Sequence, residues 1–78
     1  MDNKQDAYTM KVAELLTKQK DALGITFDAL ADRTGFGRAT VVRLLAGERA
    51  INLRYLRALC AALNLDMLEI LDSADKHV

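Results

Sequence analysis

The sequence has no proline and no tryptophan, and only two tyrosines and two phenylalanines in 78 residues. β-Branched residues are not enriched either, so little in the composition favours a sheet over a helix. Cys60 is the only cysteine, which excludes an intrachain disulfide and fits a reducing compartment. Together with His77, the only histidine, it makes too sparse a set for a usual structural zinc site. No stretch approaches the length of a membrane span. The polar start (Met1-Asp2-Asn3-Lys4-Gln5-Asp6) has no apolar run behind a basic residue, so no signal peptide is expected. These absences predict a soluble, cytoplasmic chain with no cofactor, no metal, no membrane partner and no small-molecule substrate.

A net charge is missing too: 11 basic and 11 acidic side chains cancel. A zero sum argues against nucleic acid, whose affinity for proteins comes largely from neutralised phosphates. The distribution argues otherwise. Residues 1–37 carry −1 and residues 55–78 carry −2, whereas residues 38–54 hold four arginines against one glutamate. The positive charge is focused in one short central segment.

What is present is helix-forming. Hydrophobic residues make up 51% and charged residues 28%, ordinary values for one small globular domain, and Ala, Leu, Arg, Lys and Glu lead. Residues 8–23 place Val12, Leu15, Leu16 and Leu23 on one helical face, with Gly24 as the left-handed cap. Thr26 caps a short second helix, with Asp28 in its first turn, Leu30 and Ala31 inward and Gly35 at its end. Gly37 opens a third, Arg38 to Ala46, burying Val41 and Leu44 and ending at Gly47. Asn52 caps a fourth, whose stripe is Leu53, Leu56, Leu59, Cys60 and Leu63, closed by Asn64. Asp66, with Glu69 three residues on, caps a fifth. Polar ends at 1–6 and 73–78 are expected to be mobile. The expectation is an all-α single domain over residues 1–78.

Residues 26–46 carry the functional signal. Two short helices joined by a tight turn must cross closely, which needs a small residue such as Ala31. The turn needs a residue that tolerates positive φ, which Gly35 supplies. Val41 and Leu44 then hold the second helix down while its other face stays free. This run, Thr26 to Leu44, resembles the Cro and lambda-repressor (Xre-type) helix-turn-helix family. The resemblance extends through Lys18-Gln19-Lys20-Asp21-Ala22-Leu23-Gly24-Ile25 and from Leu59 to Leu71, covering roughly residues 10–72.

That resemblance implies a compact five-helix lambda-repressor-like bundle whose third helix enters the major groove. It implies Arg38, Ala39, Val42 and Arg43 as base-facing residues. Arginine can pair with guanine O6 and N7, and Ala39 and Val42 can meet a thymine methyl. Thr40, Arg49 and Asn52 match phosphate-gripping positions, with Arg54 and Lys20 as further candidates. Many relatives place a phosphate-clamping glutamine where this chain has Phe27, so that contact is expected to be lost or replaced by packing. Leu68 falls where the family usually has a charge. With Leu71 it suggests a homodimer through the fifth helix, spacing two reading helices about 34 Å apart.

The expected protein is therefore a double-stranded DNA-binding transcriptional regulator, a phage or prophage repressor or Cro-like protein, acting in the bacterial host cytoplasm if phage-encoded. An antitoxin that autoregulates its own promoter fits the same residues, and so does a helix-turn-helix fold used as a protein-interaction module. No catalytic constellation is visible, and an enzyme is not expected. Asp28 and Asp32, although spaced like a carboxylate pair, are explained as a helix-dipole partner and a surface charge. Cys60 is read as a small buried hydrophobe.

Overall fold

A computed structural model describes residues 7–76. Five helices follow in order: α1 (Ala7–Leu23), α2 (Phe27–Thr34), α3 (Arg38–Leu45), α4 (Leu53–Ala62) and α5 (Met67–Lys76). There is no strand among the described residues, and none of these helices is long and apolar enough to cross a membrane.

Capping chemistry explains where the helices stop and start. The Thr26 hydroxyl accepts from Ala29 N at 3.0 Å, the Asn52 side chain from Tyr55 N at 2.8 Å, and Asp66 from Leu68 N at 2.9 Å. Each satisfies an amide that the first turn leaves without a helical partner. Paired backbone bonds close the C-terminal ends of α1, α3 and α4. After α1, Gly24 N reaches Asp21 O and Ile25 N reaches Lys20 O, both at 3.1 Å. The same arrangement ends α4, where Asn64 takes a φ of 59°.

Every helix contributes to one core. Leu16, Leu30, Val41, Leu44, Leu59 and Leu63 are fully buried, and α5 adds Ile70 and Ala74. α1 lies against α5 and α3, while α2 lies against α3 and α4. Spare carbonyls at helix ends are met by side chains from other helices. Gln19 Nε2 donates to Leu63 O at 3.2 Å, Arg33 Nη1 to Ala62 O at 3.1 Å, and Thr17 Oγ1 to Leu45 O at 3.2 Å. Tyr8, its phenol held protonated by desolvation and then by Asp75, donates to Leu71 O at 3.2 Å. Cys60 is buried as expected. Burial first, and the charge of Asp66 second, pushes its thiol up, so it stays protonated and packs as an apolar group.

The apolar stripes differ from expectation at helix ends. Leu23 is 48% exposed and Leu53 is 69% exposed, so neither belongs to the core. Leu23 is the last residue of α1, and the left-handed Gly24 turns the chain so that Ile25 is buried in its place. Leu53 is the first residue of α4 and lies at the rim of an open groove instead of in the core. The end of the chain differs as well. α5 runs through Ser73 to Lys76, because Ala74, one turn after Ile70, continues its buried face, and Asp72 pairs with Lys76 at 3.1 Å. Residues 1–6, His77 and Val78, over which mobile ends were expected, lie outside the described residues.

Candidate nucleic-acid interface

The α2–α3 unit turns on Gly35. Its φ of 79° lies in the left-handed region, and its N–H donates to Ala31 O at 2.8 Å. Phe36 N then donates to Thr34 Oγ1 at 3.2 Å, and Gly37 enters α3 from an extended conformation. Val41, Leu44 and Leu45 face the core, which turns Arg38, Ala39 and Arg43 into solvent and leaves Val42 and Thr40 half-buried. Of the four expected base-facing residues, Arg38, Ala39 and Arg43 are exposed on α3, while Val42 is partly covered. This helix starts on a glycine with no side-chain cap, unlike α2 and α4, which Thr26 and Asn52 close. Its first amides are accordingly left to outside acceptors.

The chain falls in a known class at this point. A family model described as a helix-turn-helix domain matches residues 11–71. The chain belongs to the helix-turn-helix domain family, as its likeness to Cro and lambda repressor implied. The crystal structure of the clp gene regulator ClgR from C. glutamicum shares its fold, with a TM-score of 0.83 at 18% identity over 95% of this chain and 96% of that one. The restriction-modification controller protein C.AhdI from Aeromonas hydrophila gives 0.76 at 26% identity, over 83% of this chain and 98% of that one. No curated protein sequence matches.

Around the helix-turn-helix the cations are held by rings. Phe36, in the turn, meets Tyr55, in the first turn of α4, edge to face at 5.0 Å between centroids. The Arg54 guanidinium lies 5.6 Å from the Phe36 ring and 5.9 Å from Tyr55. Arg49 lies 5.3 Å from the Tyr55 ring and donates to its hydroxyl at 2.8 Å. This aromatic pair ties the start of α4 to the turn before α3 and presents two exposed arginines beside it. Neither ring was singled out in the sequence, where 19 positions separate them and no local pattern links them.

Phe27 has a partner too. The Lys20 ammonium sits 4.3 Å above its ring and 3.2 Å from Asp21 Oδ1, and only 12% of the Lys20 side chain is exposed. At the position where the resemblance implied a lost phosphate clamp, this chain thus has a ring with a cation against it. Arg38 Nε pairs with Asp28 Oδ1 at 2.9 Å, linking the first turns of α2 and α3. Asn52 uses its side-chain oxygen in the cap, so its amide nitrogen is the group with donors for an acceptor outside the chain.

Of the two residues expected at a dimer interface, Leu68 is 72% exposed, while Leu71 is half-buried. Leu71 shares an open groove with Tyr8, Ile51, Leu53 and Leu56.

Proposed function

We propose that this chain is a sequence-specific double-stranded DNA-binding transcriptional regulator, a repressor of the phage or prophage Cro-like kind, that reads its operator through α3. The supporting observation is the joint exposure of Arg38, Ala39 and Arg43 on α3, with Arg49 and Arg54 held beside it by Tyr55 and Phe36. A rigid helix with two arginines suits base edges in a major groove. The flanking arginines suit phosphates, as do the uncapped amides at the start of α3, near Thr40. C.AhdI is by name a controller of a restriction-modification system, which supports a regulatory role over an enzymatic one. Two copies meeting through Leu68 and Leu71 of α5 would place two reading helices on a palindromic site.

The test is selection of bound duplexes from a random pool, followed by affinity measured across a salt series. The expected outcome is a palindromic consensus with half-sites one DNA turn apart. The log–log salt slope should lie near −2 to −4 per protomer, roughly −0.9 for each of two to four phosphates neutralised. A pool that yields no consensus, with a flat salt response, would instead favour a protein-interaction module.

Readers and grippers separate by mutation. Arg43→Ala should relax preference at one base pair and cost about 1–3 kcal/mol on the selected operator. Arg49→Ala should weaken all sequences alike and lower the salt slope by about 1. Tyr55→Phe, which keeps the ring but removes the hydroxyl that receives Arg49, should shift affinity in the direction of Arg49→Ala and by less. Equal effects of Arg43→Ala and Arg49→Ala on base preference would break the assignment.

A further inference from the structure

Asp28 lies in the first turn of α2, where its charge favours the helix dipole. The fold gives it a second partner. Its Oδ1 accepts from Arg38 Nε at 2.9 Å, across the gap between α2 and the start of α3. Both side chains remain open to water, at 80% and 61% exposure, so the pair adds little to stability. Its geometry has the larger consequence. A guanidinium has five N–H donors, and a carboxylate held on Nε leaves the two Nη groups at the far end. Paired donors at that end are what guanine O6 and N7 accept in the major groove. The Phe27 ring, 5.9 Å from Arg38 Cζ, bounds the guanidinium on another side. A long side chain confined in this way loses less freedom on docking than one that samples every rotamer.

We propose that Asp28 is a specificity-determining positioning residue, which holds Arg38 by Nε so that both Nη groups meet a guanine edge. The inference rests on the DNA-reading role of α3 proposed above. It assigns to Asp28 a task beyond the dipole partnership visible in the sequence. The carboxylate also places a negative charge close to the phosphate backbone, which disfavours binding wherever Arg38 finds no guanine. Removing it therefore acts in two directions: selectivity falls while affinity for unrelated DNA holds or rises. Structural damage alone would lower both.

The experiment passes the wild-type chain, Asp28→Ala, Asp28→Asn, Arg38→Ala and the double alanine variant through selection from a random duplex pool. Anisotropy titrations then follow on the selected operator and on a scrambled duplex at one fixed salt concentration. Wild type should demand guanine at one position per half-site. Arg38→Ala should lose that demand, and Asp28→Ala should reduce it about tenfold at the same position, within the range of one bidentate pair. The double variant should match Arg38→Ala. Asp28→Asn keeps an acceptor at Oδ1 and should fall between wild type and alanine, which keeps the test decisive if the alanine variant melts early. Unchanged guanine preference in both Asp28 variants would overturn the proposal, as would equal loss of affinity for operator and scrambled DNA. A wild-type chain that selects a consensus without any guanine dependent on Arg38 would overturn it while leaving the DNA-binding reading intact. A wild-type chain that selects nothing would remove both.

Discussion

Leu44→Ala is expected to destabilise the domain by about 2–5 kcal/mol, the range for deleting most of a leucine from a packed core. Leu44 is fully buried, and it comes from the same turn of α3 as the exposed Arg43. Val41 and Leu45 lie on the same buried side, so the cavity would open under the helix that carries the candidate base readers. A domain of this size holds a total stability on the order of 4–12 kcal/mol, so the loss would take a large part of the margin. Urea unfolding followed by far-UV circular dichroism should show a lower midpoint with an unchanged slope. DNA affinity should fall with the folded fraction. Arg43→Ala, one position earlier, should change stability by less than about 0.5 kcal/mol because its side chain leaves the core alone. A Leu44→Ala midpoint indistinguishable from wild type would mean that α3 is not anchored as described.

What could be read from the sequence was local chemistry. Thr26, Asn52 and Asp66 cap the helices expected of them, and Gly24, Gly35, Gly47 and Asn64 take the positive φ values that end helices. Each depends on neighbours within a few residues, so a single chain carries the information. The inward residues of α3 follow from the same logic, because Val41 and Leu44 must be covered before the opposite face can be free. The exceptions lie where a tertiary partner decides. Leu23 and Leu53 have the right spacing for a buried stripe, but each stands at a helix end and stays largely exposed. Ser73 to Lys76 read as a polar tail because one alanine carries little hydrophobic signal, although Ala74 is fully buried. The pairings that arm the candidate interface were hidden for the same reason. Phe36 with Tyr55, Lys20 with Phe27 and Arg38 with Asp28 are made by the crossing of helices, and no periodicity announces them.

On the contact through α5 proposed above, Leu68→Asp is expected to separate two copies without unfolding either. Leu68 is 72% exposed on α5, so the substitution removes almost no core contact and should leave stability within about 0.5 kcal/mol of wild type. It places a carboxylate one helical turn before Asp72 and directly before Glu69. Across a two-fold axis through this face, each added charge would meet its own copy and the acids around it, and like charges brought together out of water repel strongly. On the proposed reading, a single copy would offer DNA one short helix and a few arginines. When two copies are joined, the second half-site is found at a high effective concentration, a gain of about 10²–10⁴ without any new contact. The variant should therefore sediment as a monomer and bind a full palindrome at least about 100-fold more weakly, while its affinity for an isolated half-site stays the same. Leu23→Asp is the control, since that leucine is also exposed but lies at the end of α1, and it should alter neither assembly nor full-site affinity. A Leu68→Asp protein that remains dimeric would place the two-fold contact elsewhere. The open groove formed by Tyr8, Ile51, Leu53, Leu56 and Leu71 would then be the next face to charge.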